Sequence, residues 1–293
     1  MNLDGTISWA ALFDEASARL AVVSADPRID ARRIIEQAGG VEPSQFSSLL
    51  DDLVTSRQMV AYDRMVERRL NGEPLQYVVG SWSFRRLDLY LDRRVLIPRP
   101  ETEIVTEFAL AEHDRAVRAR GAGHGAVVDL GTGSGAIALS IAFERPGTQV
   151  WATDVSADAL AVAQANCAGL GRVARHVTLL HGHWFDPLPA ALRGTVDVVV
   201  ANPPYVAAGD ELPPEVRDWE PLEALVPGPR GLEAYEAITA GALEWLIDGG
   251  ALVLEIGASQ GASVSELLRQ RGFTTVDVRV DLAGRDRVVV ARP

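Results

Sequence analysis

The chain has 293 residues, 47% hydrophobic and 23% charged, which suits two soluble domains with buried cores. A formal net charge of −12 argues against a protein that lives on nucleic acid, since counterion release needs clustered Lys and Arg. The single cysteine, Cys167, leaves no partner for an internal disulfide and is read as a packing residue. No apolar run has membrane-spanning length and no basic signal region opens the chain, so a cytoplasmic protein without membrane contact is expected. Metal-ligand spacings are absent, because His181 and His183 have no companion cluster.

Residues 1–73 read as a small helical bundle. Trp9, Leu12, Phe13, Ala16 and Leu20 recur at helical spacing. Asp26-Pro27 reads as an N-cap with proline at N1, opening a helix that closes at Gly39-Gly40. Ser44 is expected to cap a third helix through Leu53, and Thr55-x-x-Gln58 has capping-box spacing before a fourth. Residues 74–98 read as a β-hairpin linker, with strands expected at Tyr77–Gly80, Trp82–Phe84 and Leu87–Leu91. Pro98-Arg99-Pro100 then leads into a helix begun by Glu101, Thr102 and Glu103.

Residues 99–293 alternate strand and helix, which implies a mostly parallel, doubly wound sheet. Strands are expected at 126–130, 149–153, 176–180, 196–201, 251–255, 274–280 and 287–291. Only Asp281–Asp286 separates the last two, too short for a crossover helix, so one strand should run antiparallel.

Four features fall at carboxyl ends of successive parallel strands, the edge where open α/β sheets hold ligands. Gly131-Thr132-Gly133-Ser134-Gly135 follows the first strand and lets backbone approach a ligand closely. Asp154 ends the second, where a carboxylate can hold both hydroxyls of a ribose. His183-Trp184 follows the third. After the fourth, Val198-Val199-Val200-Ala201 stops at Asn202-Pro203-Pro204-Tyr205. Two prolines cannot continue a central strand, so they make a rigid corner. A plain strand-ending turn is the alternative at this position.

A Gly-rich turn, a ribose-binding acid and a reversed final strand resemble the class I S-adenosylmethionine-dependent methyltransferases. The Asn-Pro-Pro-Tyr motif resembles that of enzymes methylating a planar, conjugated nitrogen. Longer stretches are similar to the HemK/PrmC family of peptide-chain release factor N5-glutamine methyltransferases. They are Pro74–Tyr77, Leu96–Glu103, Asp129–Leu139, Asn202–Tyr205, Glu220–Leu225 and Asp281–Arg287. The resemblance implies the class I fold, a seven-stranded sheet with one antiparallel strand, joined to the helical bundle and hairpin linker. It implies that Gly131, Thr132, Gly133, Ser134, Gly135, Asp154, Trp184 and Asn202 hold S-adenosylmethionine, with S-adenosylhomocysteine as product. Asn202, Pro203, Pro204 and Tyr205 would hold the glutamine of a Gly-Gly-Gln motif, Asn202 and Pro203 acting in catalysis. The helical domain would dock a class-1 release factor, and the protein would be a monomer without direct nucleic-acid contact. His183 departs from the family, where an aspartate is common at this position.

Within enzymes the alternatives are a ribosomal-protein glutamine methyltransferase and a nucleic-acid adenine methyltransferase. The acidic balance and the small helical domain oppose the latter. A non-catalytic nucleotide-binding module is the alternative from another class.

Overall fold

The computed structural model describes residues 6–293. They form two compact units, one running up to Trp82 and taking in Pro213–Trp219, the other holding Ser83–Leu212 and Glu220–Pro293.

The first unit contains α1 (Trp9–Leu20), α2 (Pro27–Gly39), α3 (Phe46–Leu49), α4 (Ser56–Leu70) and α5 (Leu75–Val79). Trp9, Leu12, Ala16 and Leu20 are fully buried and pack with Ile34, Ile35, Tyr62 and Val66 in one cluster. Proline at N1 opens α2 and Gly40 closes it in the left-handed region, as the sequence predicts, but the Asp26 side chain makes no capping bond. Thr55 and Gln58 form the expected capping box, with Thr55 N donating to Gln58 Oε1 at 3.1 Å. Thr55→Ala should therefore lower stability by about 1 kcal/mol. Urea unfolding measures this, and an unchanged midpoint would show that the cap is redundant.

Two expected elements differ. In place of one helix from Ser44 to Leu53 there is a 3-10 turn at Pro43–Gln45 and then the short α3, with Glu42 and Gln45 forming the capping box instead of Ser44. Tyr77–Val79, expected as a strand at the start of the linker, belongs to the helix α5. The β-branched pair Val78-Val79 favours a strand locally, but packing overrides that preference. Leu75, Val78 and Val79 join the core of the helical unit, and Gly80 ends the helix at φ 74°. Arg68 donates to the terminal carbonyls of Tyr77 at 2.8 Å and Val78 at 3.0 Å, satisfying groups that a helix end leaves unpaired.

A hairpin follows, β1 (Ser81–Phe84) and β2 (Leu87–Tyr90). Its turn residue Arg85 holds a left-handed φ of 52° and its guanidinium pairs with Glu144.

The second unit continues through α6 (Pro100–Arg120), β3 (Ala126–Leu130), α7 (Ala136–Glu144), β4 (Gln149–Asp154), α8 (Ala157–Leu170), β5 (Val177–His181) and β6 (Val196–Ala201). After α9 (Pro214–Arg217), which lies in the first unit, come α10 (Glu233–Trp245), β7 (Leu246–Glu255), α11 (Gly261–Gln270), β8 (Thr275–Val280) and β9 (Asp286–Arg292). The seven strands stand in the order β5-β4-β3-β6-β7-β9-β8, with β9 antiparallel to both neighbours. The reversed strand expected from the short final connection is present.

Strand β6 is buried along its whole length, as a central parallel strand covered on both faces must be. Its alternate residues serve two cores. Val198 and Val200 pack with Val105 and Ala109 of α6 and Ile137 and Ile141 of α7. Val199 and Ala201 face Tyr235, Ile238 and Ala242 of α10 with Val264 and Leu268 of α11. Winding reverses between β3 and β6, so the loops leaving their carboxyl ends diverge and open a crevice there.

Candidate active site

That crevice holds a cavity of about 440 Å³, within the range of small-ligand pockets. Gly131, Asp154, Trp184, Asn202 and Pro204 all line it, as does His183. Residues from four successive strand ends thus meet at one place.

The turn after β3 works mainly through backbone. Gly131, Gly133 and Gly135 all hold positive φ, which glycine adopts without strain. Gly133 N donates to Asp154 Oδ2 at 2.8 Å, and Ser156 N donates to Asp154 Oδ1 at 2.9 Å. Each carboxylate oxygen keeps further acceptor capacity toward the cavity. Burial raises the Asp154 pKa, opposed by these backbone N–H groups. Thr132 and Ser134 turn inward: Thr132 Oγ1 donates to Asp129 Oδ2 at 2.6 Å, and the Ser134 carbonyl accepts from Asn166. The Thr132 hydroxyl thus braces the loop, and neither residue lines the cavity.

Trp184 holds a φ of 45°, costly for a bulky residue outside glycine turns. The bend fits because Gly182 N donates to Asp154 O and Phe185 behind it stacks on Trp245 at 5.8 Å. His183 is exposed at the cavity rim, its ring edge-on to Trp184 at 5.3 Å.

At the proline corner, Asn202 Nδ2 donates to Thr102 Oγ1 at 3.1 Å, and Asn202 Oδ1 has no hydrogen bond among the described residues. Pro203 is buried and Pro204 lines the cavity. Tyr205 packs partly buried against the core beneath α10, and burial pushes its hydroxyl up to about 12. It is not part of the cavity wall.

Several residues here were not singled out as site residues by motif. Gln260 donates to the carbonyls of Tyr205 and Gly231 at 3.0 and 3.1 Å and accepts from Gly257 N at 2.9 Å. It fixes the chain leaving the corner. Glu220, buried, accepts from Ile97 N at 3.1 Å and pairs with Arg99, joining two stretches that the family resemblance marked without a role. Pro221, Ala224 and Val226 also line the cavity. A proline-rich stretch such as this carries no periodic signal that would place it at a site.

The match to a PrmC N-terminal domain covers residues 11–80, and the match to a Methyltransferase small domain covers residues 115–215. The Release factor glutamine methyltransferase of Cereibacter sphaeroides is 42% identical over 94% of each chain. The proteins of that name from Moorella thermoacetica and Neisseria gonorrhoeae are 41% and 38% identical; they cover 94% and 91% of this chain, and 95% and 93% of their own lengths. Among solved structures, the hMettl16 catalytic domain in complex with MAT2A 3'UTR hairpin 6 superposes with a TM-score of 0.53 at 15% identity, covering 82% of this chain and 84% of its own. That similarity concerns the fold, which is the class I methyltransferase fold. With relatives this similar along nearly the whole chain, the protein belongs to the release factor glutamine methyltransferase family.

Proposed function

We propose that the protein transfers a methyl group from S-adenosylmethionine to the side-chain nitrogen (N5) of the glutamine in the Gly-Gly-Gln motif of class-1 release factors. The observation that carries this reading is Asn202, which lines the same cavity as Gly131 and Asp154 and leaves its amide oxygen unpaired.

The residues present fit the cofactor. Asp154 offers acceptors for a ribose diol, the Gly131 backbone allows close approach, and Trp184 with His183 forms an apolar-to-polar side wall. S-adenosylmethionine, when bound, supplies an electrophilic methyl group on a sulfonium. The protein's task is then to present a poor nucleophile, because an amide nitrogen has a delocalised lone pair. Asn202 Oδ1 and the Pro203 carbonyl accept from the two amide N–H groups and hold the nitrogen with its lone pair aimed for in-line attack. The helical unit, which has its own core, is assigned to docking the release factor.

Mass spectrometry of the Gly-Gly-Gln peptide, after incubating a class-1 release factor with enzyme and S-adenosylmethionine, tests the function directly. One added methyl on glutamine is expected. Methylation of a ribosomal protein in place of the release factor would overturn the substrate. For the cofactor, S-adenosylmethionine should raise the melting temperature and NAD should not. Asp154→Ala should weaken cofactor binding by about 1.5–3 kcal/mol, the scale of charge-assisted hydrogen bonds. Titration calorimetry reads this, and unchanged affinity would remove Asp154 from the site.

A further inference from the structure

We propose that Thr102 and Glu255 are positioning residues that fix which end of the Asn202 amide faces the substrate. The inference rests on the function proposed above and adds two residues to it.

The geometry is a directed chain. Ala201 and Leu254 are register neighbours on β6 and β7, so Asn202 and Glu255 stand side by side at the carboxyl edge of the sheet. Thr102 lies in the first turn of α6, above both. Thr102 and Glu255 are both buried, at 4% and 1% exposure. Thr102 Oγ1 donates to Glu255 Oε2 at 2.7 Å and accepts from Asn202 Nδ2 at 3.1 Å. A carboxylate can only accept, so the threonine proton is committed to Glu255. The threonine lone pair then selects the NH₂ end of Asn202, and Oδ1 is turned to the cavity. An asparagine alone has no such preference, because its two ends are nearly the same shape. With the wrong end outward, a donor would meet the N–H groups of the target amide.

The same logic gives the chain a dependence on pH. Burial pushes Glu255 up to about 7, with Thr102 and Arg287 opposing the shift most strongly. The charged groups around it are Arg99 and Glu101 at the start of α6 and Arg287 on β9. Asp281 lies 3.8 Å from Arg287, Tyr235 donates to the Glu255 carbonyl, and the Tyr205 hydroxyl also feels the Glu255 charge. A protonated Glu255 can donate to Thr102. The threonine hydrogen is then free to point at Asn202, whose amide can turn over. Methyl transfer should fall as pH drops through this range.

The test compares wild type, Thr102→Val, Thr102→Ser and Glu255→Gln by kcat and KM for a release factor from pH 6 to 8.5. Melting temperature and its increase with S-adenosylmethionine are measured alongside. Wild type should show an acid limb in kcat. Thr102→Val should lose about ten- to a hundredfold in kcat at pH 8, the scale of a misplaced reacting group, and lose the acid limb. Thr102→Ser should stay within about threefold of wild type, since it keeps the hydroxyl. Glu255→Gln keeps an oxygen for Thr102 and takes no proton, so its profile should be flat. The increase in melting temperature with S-adenosylmethionine should be the same in all four. A Thr102→Val protein with wild-type kcat and an intact acid limb overturns the relay alone. A loss confined to KM or to melting temperature also overturns it, since that is what a merely structural role would give. Absence of transfer by wild type overturns the proposed function and the relay with it.

Discussion

Asn202→Ala should slow methyl transfer by roughly 10²–10³, the usual loss for one pre-organised polar group in a transition state. The melting temperature should move by less than about 5 °C, because the side chain serves the cavity more than the core. Its one internal bond ends on Thr102, whose own proton remains satisfied by Glu255 after the change. Asn202→Asp is a sharper probe. It keeps an acceptor of the same shape, but sets a second carboxylate against a hydroxyl that already donates to a buried one. Its activity should stay well below wild type at pH 8 and recover partly at lower pH, where one of the two acids is protonated. Steady-state rates on the Gly-Gly-Gln substrate decide both. An alanine variant at near wild-type rate would reduce this corner to a strand-ending turn.

The position of the site follows from topology before chemistry. Strands β3 and β6 are adjacent, yet the chain leaves them toward opposite faces, so nothing fills the space above their ends. The sheet brings Asp154 to that edge, where a side chain regains access to ligands. Three acids of the sheet, Asp129, Asp154 and Glu255, have their pKa raised by burial. Each is held by hydroxyl or backbone donors and none forms a direct ion pair. This is a costly arrangement for stability, and of the three only Asp154 lines the cavity, where it can present fixed acceptors to a ligand.

The parallel core was readable from the sequence because its strands are β-branched runs of five or six residues, separated by helices with clear stops. Val196–Ala201 admits no other assignment once Pro203 and Pro204 follow it. The Gly131 turn and Asp154 were readable because both are short-range features tied to a strand end. Tyr77–Val79 misled, since its β-branched residues point to a strand, while the core that buries Val78 and Val79 and the Arg68 guanidinium that caps their helix come from elsewhere in the chain. Thr102 and Glu255 carried no local signal as a pair. They sit in different elements, 153 residues apart, and only the sheet register and the fold of α6 over it bring them to Asn202.

Asp129→Asn should make folding stability less sensitive to pH. Asp129 lies in the middle of the sheet with no exposure to water. Its Oδ2 accepts from Thr132 Oγ1 at 2.6 Å and from Ala138 N at 3.2 Å, while Oδ1 has no partner. Burial, more than the nearby Asp154 charge, pushes its pKa from 3.8 up to about 7, against the Thr132 and Ala138 donors. A group whose folded pKa lies above its unfolded one stabilises the protein fully below the unfolded value. That contribution is lost as pH rises through the folded value. The carboxyl is therefore comfortable as an acid near pH 5 and a burden as an anion at pH 8. Over that interval wild type should lose on the order of 2–3 kcal/mol relative to the asparagine variant, which does not titrate. The asparagine oxygen can still accept from Thr132 and Ala138. Its NH₂ takes the place of the unpaired oxygen, a cost of about 1–3 kcal/mol that is the same at every pH. The slope is thus the diagnostic quantity, and the offset is not. Urea unfolding of both proteins at pH 5, 6, 7 and 8 measures it, with every other titrating group common to the two. Parallel stability curves would mean that Asp129 is already ionised at pH 5, held as an anion by donors strong enough to outweigh its burial.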